Sequence, residues 1–353
     1  MTKTLYYDGT KLLSLKDVNG NEPEIYIVSG NRSAGKTTFF NRYLVKKFIT
    51  KQQLFGVYVR YAYELDGIAD RFFSDIKPLF FPDYNLIAKK RAKNTYAELM
   101  LAEGNSDEYI TCGYAIPLNN ADNIKKCSHL FSKIVRLIFD EFQPETGNYC
   151  DKEIEKFISI HKSIARGGGK FVRRVPVYML SNCVTLINPY FLAFGIADKI
   201  QENTKFLRGN GVVFEQNFNA YSAKAQADSV FDNIFENQRA VAYAQQNVYL
   251  NDNKTFIEKP QGKNIYLATL IYENTWFSLR EFTENGFLFC GQDIDPNCQR
   301  KIALTTGDHS TNYILIRKNT PLFLYMKTVF EKGCFRFQNL LCKKCIMETL
   351  KFI

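Results

Sequence analysis

This sequence lacks long apolar runs, internal repeats and the regularly paired cysteines of a disulfide framework. No segment has the roughly 18 uninterrupted apolar residues that a membrane-spanning helix needs. The N-terminal stretch MTKTLYYDGTKLLSLKDVNG contains no apolar signal core, so we expect a cytoplasmic protein without a cleaved leader. No repeat period or low-complexity tract is visible either. These absences favour a globular chain, whose 353 residues are enough for two domains with separate cores.

The nine cysteines do not have the pattern of a disulfide framework. Their number is odd and they are spread singly along the chain, whereas a stapled secreted domain has closely spaced pairs. Only Cys342 and Cys345 form a CxxC pair, and no histidine or second pair lies near them in sequence. A zinc site that borrows Cys290 and Cys298 is one interpretation, but free thiols on a helix are favoured.

An excess of positive charge sets this chain apart from an average domain. The net charge is +10 at pH 7 and the isoelectric point is about 9.0. Basic clusters occur at residues 89–93, at residues 166–174 and along the C-terminal stretch. Because lysine and arginine release counterions when they bind phosphates, the excess predicts a polyanionic partner such as nucleic acid.

The pattern of elements indicates an α/β fold followed by an α+β domain. Over roughly the first 200 residues, short β-rich runs alternate with helical patterns, which is typical of a parallel sheet covered by helices. The runs VRLIF and VPVYML are almost wholly apolar, as in central strands that are buried on both faces. We expect a first domain over residues 1–207, a linker or connecting helices over 208–255, and a smaller α+β domain over 256–353.

A phosphate-binding loop lies between the first predicted strand and the first long helical pattern. The stretch GNRSAGKTT matches the Walker A pattern GxxxxGK[ST] in the strand–loop–helix context that this motif requires. The helix N-terminus and the loop N–H groups favour phosphate, Lys36 adds positive charge, and the Thr37 hydroxyl holds Mg²⁺. We therefore assign nucleotide binding to Gly30, Asn31, Arg32, Ser33, Ala34, Gly35, Lys36, Thr37 and Thr38.

An acidic pair ends a second apolar strand. In VRLIFDE, Asp140 follows the strand directly, at the edge of a parallel sheet where the phosphate-binding loop also lies. We expect Asp140 to bind Mg²⁺ together with Thr37, and Glu141 to activate the attacking water as a general base. Together with Walker A, this pair predicts that residues 1–207 form a P-loop ATPase domain that uses ATP and Mg²⁺.

Further polar residues are candidates for the same site. Asn182 ends the strand VPVYML, where it can contact the γ-phosphate or the attacking water, although asparagine in this place also commonly caps a loop. Arg60 follows the strand FGVYV and could reach the base or the phosphates. Arg166 is the candidate that neutralises transition-state charge, a role that a neighbouring subunit often supplies. Arg173 and Arg174 are the alternatives for that role.

These motifs occur with others in a recognisable order. The segments YVRY, YAIPL, IFDEF, LSNCVTLINPYF and FIEK, in this order and spacing, resemble the DNA-packaging (encapsidation) ATPases of small short-tailed bacteriophages with protein-primed linear genomes. LSNCVTLINPYF is the most particular match, because it has no general catalytic meaning. The resemblance is strongest from Ile25 to Phe191 and continues more weakly from Phe256 onward.

The resemblance implies an ATPase of the additional-strand, catalytic-glutamate (ASCE) class that acts as a ring motor. Such proteins assemble, typically as five subunits, at the portal vertex of an empty prohead and thread double-stranded DNA inward. The resemblance also implies a structural packaging RNA as a partner, no membrane partner, and a location in the host cytoplasm and transiently on the prohead, but not in the mature virion.

The resemblance also carries over to single residues. It assigns phosphate binding to the Walker A residues, the acidic pair to Asp140 and Glu141, and the trans-acting arginine to Arg166. A second trans-acting basic residue would be Lys125 or Lys126, and the choice between them stays open. Residues 256–353 would be a vestigial RNase H-like nuclease domain. An RNase H-type site needs an aspartate on its first long strand to bind metal ions, and the candidate strand NIYLATLIY has none.

Three functions are therefore compared. The leading hypothesis is a double-stranded DNA translocase that hydrolyses ATP at subunit interfaces. The first alternative is a P-loop nucleotide kinase or other non-translocating NTPase, against which stand the Asp140–Glu141 pair and the lack of an NKxD-like base-specificity motif. The second is a scaffold that binds nucleotide without turnover, which the presence of both Lys36 and Glu141 disfavours.

Overall fold

The computed structural model describes residues 6–104, 106–167, 171–197, 199–201, 203–235, 237–246, 249–250, 252–317 and 319–351. The chain forms two compact units, Met1–Asn251 and Asp252–Ile353. Each unit has its own sheet, so each is described by itself.

The first unit alternates strands and helices. Its strands are β1 (Ile25–Gly30), β2 (Leu54–Val59), β3 (Tyr84–Arg91), β4 (Tyr96–Glu103), β5 (Ile110–Pro117), β6 (Ile134–Asp140), β7 (Val177–Asn182), β8 (Phe206–Arg208) and β9 (Val212–Asn217). Its helices are α1 (Thr10–Ser14), α2 (Lys36–Lys51), α3 (Ile68–Phe73), α4 (Lys77–Phe80), α5 (Ala121–Lys126), α6 (Glu153–Ile164), α7 (Pro189–Ala193), α8 (Ala220–Ala227), α9 (Val230–Ile234) and α10 (Arg239–Gln246).

Within the described residues, these strands form one sheet in the order β3-β4-β5-β2-β6-β7-β1-β9-β8. The strands from β5 to β9 in this order are parallel, while β3, β4 and β8 add antiparallel edges. The six residues of β1 are all buried, as the apolar sequence predicts for a central strand. Because parallel strands end at the same edge, Gly30, Asp140 and Asn182 are brought to one edge of the sheet.

Aromatic side chains fill much of the core between the sheet and its helices. The ring of Phe40 on α2 lies 5.1 Å from that of Tyr178 on β7, and Phe55 on β2 stacks on Phe72 of α3 at 5.2 Å. All four side chains are buried. The first contact fixes α2, the helix that begins at the phosphate-binding loop, against the sheet, and the second fixes α3.

The second unit contains a mixed sheet. Its elements are β10 (Ile265–Tyr272), β11 (Thr275–Phe282), β12 (Phe287–Gly291), β13 (Lys301–Ala303), β14 (Ile314–Leu315), α11 (Pro321–Glu331), β15 (Phe335–Phe337) and α12 (Leu340–Lys351). In the described residues the strand order is β14-β13-β10-β11-β12-β15. An antiparallel meander of β10, β11 and β12 is continued by β13 and β14, which run parallel to β10. This arrangement agrees with the α+β architecture expected from the sequence.

The boundary between the units lies later than the sequence pattern predicts. The predicted first boundary, after residue 207, falls inside β8, and β9 pairs with β1 along its whole length. Residues 208–217 therefore complete the first sheet and are not a linker. The run of β9 is short and is flanked by glycine and polar residues, so its apolar signal is too weak to distinguish it from connecting chain.

The cysteines of the second unit lie in two different environments. Cys290, Cys342 and Cys345 are completely buried in the second unit, and Cys298 lies in a loop with its thiol near the carbonyl of Arg300. No group of three or more His, Cys, Asp or Glu side chains in the described chain is arranged to hold a metal ion. None of the helices described is both long enough and apolar enough to span a membrane.

Candidate functional site

The phosphate-binding loop joins β1 to α2 in the manner that its sequence predicts. Gly30 ends the strand, Gly35 precedes the helix, and Lys36 is the first helical residue. Gly35 has a φ of 91°, in the left-handed region that glycine adopts without strain. A Cβ on Gly30 would lie only 2.4 Å from the carbonyl oxygen of Asn217, so neighbouring backbone also requires glycine there. The first N–H groups of α2 have no partner inside the helix and are available to an anion.

Lys36 is a buried cation that the loop surrounds. Its Nζ donates to the carbonyl oxygens of Asn31 at 2.8 Å and Gly30 at 3.2 Å, and to Oδ1 of Asn182 at 3.3 Å. Burial lowers the pKa of Lys36 to about 8, although the carboxylate of Asp140 acts in the opposite direction. The protein thus holds this ammonium group where phosphate oxygens would compensate its lost hydration.

Thr37 and Asp140 are in direct contact at the carboxyl edge of the sheet. The Thr37 hydroxyl donates to Oδ2 of Asp140 at 2.7 Å. Burial raises the pKa of the Asp140 carboxyl, while the hydrogen bond from Thr37 lowers it. A hydroxyl and a carboxylate oxygen are the hard ligands that Mg²⁺ accepts beside substrate phosphates and water. These two residues therefore fit the metal-binding role that the sequence predicts.

Glu141 follows in a strained backbone conformation. Its φ is 53°, which is costly for a residue with a side chain, and such strain tends to occur at functional sites. Its N–H donates to Oδ1 of Asp140 at 2.9 Å, so Asp140 also fixes the turn. The Glu141 side chain is exposed and borders a cavity of about 250 Å³, which is also lined by Arg32, Arg60, Gln143, Pro144, Glu145, Asn182 and Tyr243. A substrate water can lie there beside the carboxylate.

Arg60 is bonded to groups of its own chain at the end of β2. Its Nε donates to Oε2 of Glu153 at 2.8 Å, and its Nη2 donates to the carbonyl of Phe142 at 2.8 Å. The side chains of Arg60 and Glu153 are 9% and 2% exposed, so this ion pair is buried. Its terminal nitrogens also lie 3.4 and 3.5 Å from the carbonyl of Glu141. The nucleotide contact of Arg60 stays a prediction: β2 ends beside β6, and Arg60 both holds the chain on which Glu141 lies and lines the adjoining cavity.

Asn182 lies where a sensor of the γ-phosphate was expected. It is opposite Gly30 in the register of β7 and β1, and its side chain accepts the hydrogen bond from Lys36. The preceding residue, Ser181, contacts the hydroxyl of Ser29 at 2.9 Å, which joins the ends of the two strands. Asn182 is thus directly connected to the loop instead of merely capping the turn after β7.

The segment after β9, which was expected to be a linker, holds the phosphate-binding loop from outside. Asn31 and Asn219 form a reciprocal pair, since Nδ2 of Asn31 donates to the Asn219 carbonyl at 3.0 Å and the N–H of Asn219 donates to Oδ1 of Asn31 at 2.9 Å. The carbonyl of Arg32 accepts from Ser222 at 2.6 Å and from Gln226 at 3.0 Å. No local sequence signal predicts these contacts, because they join residues 188 to 194 positions apart.

The rest of the loop is arranged around these contacts. Ala34 is buried and its carbonyl accepts from the N–H of Tyr7 at 2.8 Å, whereas Arg32 and Ser33 are exposed. Thr38 lies in the first turn of α2. Nη2 of Arg32 and the hydroxyl of Tyr243 both lie 3.0 Å from Oε1 of Glu145. Glu145 and Tyr243, like Asn219, were not identified from the sequence.

Arg166 lies at the opposite edge of the sheet. It follows α6. The next residue, Gly167, lies against Ser132, since a Cβ on Gly167 would be 2.9 Å from the Cβ of Ser132. Ser132 precedes the first residue of β6 by two positions, so Arg166 lies where β6 begins. β6 runs from that edge to Asp140, and its seven residues span roughly 20 Å. Arg166 is exposed and makes no hydrogen bond or ion pair with the described part of the chain. The structure therefore does not bring Arg166 to the phosphate-binding loop of its own chain.

Most of the other predicted basic residues are exposed. Lys125 and Lys126 are exposed on α5, where Lys125 pairs with Asp122 at 3.3 Å and Lys126 contacts Asn123 at 3.5 Å. The basic cluster at residues 89–93 lies at the exposed turn between β3 and β4, on the sheet edge. In the cluster at residues 166–174, positions 168–170 lie outside the described residues.

We predict that nucleotide affinity falls as the pH rises through about 8, the pKa of Lys36 in the free protein. Below this pH the ammonium is charged and attracts phosphate; above it, the neutral amine must first take up a proton. Calorimetric titration with a non-hydrolysable triphosphate, in buffers of different ionisation enthalpy, would detect proton uptake on binding between about pH 8 and 9. In Lys36→Met the uptake should vanish, and equal uptake there would contradict the assignment.

We also predict that Glu153→Ala destabilises the first unit by about 3–5 kcal/mol, because it leaves the buried Arg60 guanidinium without its partner. The measurement is the free energy of unfolding in urea, followed by a probe in the first unit. Glu155→Ala, on the exposed side of the same helix, is the matched control and should change stability by no more than about 0.5 kcal/mol. Equal effects of the two substitutions would refute the role of the pair.

Comparison with known proteins agrees with this architecture. Residues 1–352 match the family described as podovirus DNA encapsidation protein (Gp16). The DNA packaging protein of Bacillus phage phi29 is 24% identical over 99% of this chain and 98% of its own length. The DNA packaging protein of Bacillus phage B103 is 26% identical over 92% of this chain and 95% of its own length.

A solved structure shows the same fold. The structure described as the bacteriophage Phi-29 viral genome packaging motor assembly contains a chain that is similar with a TM-score of 0.70 and 23% identity, and 99% of each chain is covered. The predicted α/β fold and the resemblance found in the sequence are thereby confirmed. Because the family match spans nearly the whole sequence, this chain belongs to the podovirus DNA encapsidation protein (Gp16) family.

Proposed function

We propose that this chain is an ATP-driven motor that moves double-stranded DNA into a preformed viral shell. The observation that carries the proposal is the convergence of Lys36, Thr37, Asp140 and Glu141 at one edge of the sheet, with the transition-state arginine at the other edge. A family described by DNA encapsidation supports the direction of the work. The net charge of +10 supports a phosphate backbone as the partner, gripped without base contacts.

The chain's own groups account for hydrolysis of ATP. Lys36 and the N–H groups at the start of α2 hold the β- and γ-phosphates. Thr37 and Asp140 would hold Mg²⁺, which when bound would neutralise phosphate charge. Glu141, held in its turn by Asp140 and Arg60, orients a water in the adjoining cavity and accepts its proton. Asn182 lies close enough to Lys36 to distinguish ATP from ADP.

Arg166 acts on the site of a neighbouring copy. A sheet separates it from its own Glu141 by roughly 20 Å, which no side chain spans. Its exposure, without an ion pair in the described residues, leaves the guanidinium available to a second molecule. A site at one edge and its arginine at the other produce head-to-tail contacts, which close into a ring. Lys125 or Lys126, both exposed, could add a second positive charge across the same interface.

The family and this geometry support a proposal for the assembly. We infer a ring, of five subunits as the resemblance implies, that is docked at the portal of the prohead and supported by a structural RNA. The protein would act in the host cytoplasm and on the prohead, and would leave before the virion is complete. Residues 252–353 would be the vestigial RNase H-like domain of this motor, carried without nuclease activity.

The motor function is tested by ATP turnover with and without long double-stranded DNA and proheads. We predict that DNA and proheads together stimulate wild-type turnover, and that Glu141→Gln lowers the stimulated rate by roughly 10²–10⁴-fold while ATP still binds. Glu145→Gln, which alters a neighbouring carboxylate in the same cavity, should leave most of the rate. Turnover that is indifferent to DNA and proheads would instead favour the non-translocating NTPase.

The shared site is tested by mixing two inactive variants. Arg166→Ala and Lys36→Ala should each lower turnover by roughly 10³-fold or more. In an equal mixture, about one quarter of head-to-tail interfaces join an intact loop to an intact arginine, so about a quarter of the wild-type rate should return. Arg166→Ala mixed with Glu141→Gln serves as a second pairing. An equal mixture with no recovery would show that Arg166 does not act in trans.

A further inference from the structure

Two exposed apolar side chains lie close to Arg166. Phe171 is 97% exposed and Val172 is 77% exposed, although neither residue type gains from contact with water. The N–H of Arg173 donates to the carbonyl of Ala165 at 2.8 Å, so the chain leaves and rejoins the sheet edge at one point. Phe171 and Val172, which we name the apolar tip, are thus presented outward beside the arginine.

The tip is anchored at the amino edge of the sheet. Arg173 donates from Nη1 to the carbonyl of Ile134 at 3.0 Å and from Nη2 to that of Ile164 at 2.7 Å. Ile134 is the first residue of β6. An exposed apolar pair on an anchored support is the arrangement of a docking element, because little conformational entropy is lost when a partner covers it.

A second apolar surface lies at the carboxyl edge. Val230, Phe231 and Ile234 on α9 are 79%, 68% and 69% exposed, and the next residue, Phe235, is 44% exposed. The rings of Phe231 and Phe235 lie 5.3 Å apart, so they form one continuous surface. We name these four residues the α9 patch. Contiguous exposed apolar surface of this kind marks a protein contact.

The α9 patch is connected to the phosphate-binding loop. Asp232 of α9 and Ser33 of the loop line one cavity of about 620 Å³. The preceding helix, α8, donates two hydrogen bonds to the carbonyl of Arg32, from Ser222 and from Gln226. The α9 patch therefore lies within one cavity's width of the phosphate-binding loop.

The reach of the chain connects the two surfaces. Phe171 lies five positions after Arg166 in the sequence, so their Cα atoms are at most about 18 Å apart. When Arg166 reaches the γ-phosphate bound to a neighbour, the tip must therefore lie within that distance of the Arg166 backbone, and so close to the neighbour's loop. The α9 patch is the apolar surface next to that loop.

We propose that the apolar tip of one copy packs on the α9 patch of the next copy, as the contact that holds Arg166 in its neighbour's site. The proposal rests on the trans role of Arg166 inferred above. The two surfaces lie at opposite edges of one chain, so the contact is heterologous and its repetition builds a ring instead of a twofold dimer.

Photo-crosslinking in the assembled motor tests the contact directly. Benzoylphenylalanine replaces Phe171, where 97% exposure ensures that the chain still folds. After irradiation with proheads, double-stranded DNA and a non-hydrolysable triphosphate, mass spectrometry should find adducts on the peptide that contains residues 230–235 of another copy. The same group at Leu79, which is 62% exposed, is the control and should give none there. Adducts on a different protein, or on another part of this chain, would overturn the proposal.

A charge exchange supplies the second test. Phe171→Lys and Phe231→Glu should each weaken self-association by at least tenfold in sedimentation, whereas the double variant should regain most of it because every contact then joins the introduced lysine to the introduced glutamate. Leu79→Lys should behave as the wild type. Purely additive losses in the double variant would show that the two positions do not touch. If turnover returns when Arg166→Ala is mixed with Lys36→Ala but this charge exchange fails, the proposed contact is wrong and the shared site stands. If turnover does not return in the mixture, the shared site itself is refuted.

Discussion

The buried ammonium of Lys36 is the constraint on which the active site depends. A lysine that loses its hydration is stable only when carbonyl and amide oxygens replace the lost water, and here Gly30, Asn31 and Asn182 provide them. Those three groups belong to the ends of two neighbouring parallel strands and to the loop between β1 and α2. The register of β1 and β7 places Gly30 opposite Asn182. This register therefore pairs the two strands and also brings together the oxygens that stabilise the Lys36 ammonium group.

A loop that directs its N–H groups toward phosphate leaves its carbonyls facing the other way, and those carbonyls need donors. The chain after β9 supplies them: Ser222 and Gln226 donate to Arg32, and Asn219 pairs with Asn31. This explains why residues 212–217 extend the sheet beside β1, since β9 delivers Asn219 to the loop. The same segment carries the α9 patch, so the support of the loop and the proposed contact with a neighbour share one stretch of chain.

The sequence predicts the parts of this site that are local and misses those that are tertiary. Lys36, Thr37, Asp140 and Glu141 could be identified because each stands at a fixed offset from a strand end, and topology brings strand ends together. The role of Arg60 could not, because an arginine after a strand can face solvent, ligand or protein interior. Only the position of Glu153, 93 residues later, decides among them.

The separation of Arg166 from Glu141 bears on when ATP is hydrolysed. If both lay on one face of one chain, a free monomer that met ATP would hydrolyse it without moving anything. In the proposed shared site, with Glu141 at the carboxyl edge and Arg166 at the amino edge of β6, each chain would lack the group that stabilises transition-state charge, a contribution of roughly 10³–10⁵-fold in related phosphoryl transfer. On that proposal hydrolysis would require a correctly docked neighbour, so ATP would be consumed chiefly where a ring exists to convert it into motion along DNA.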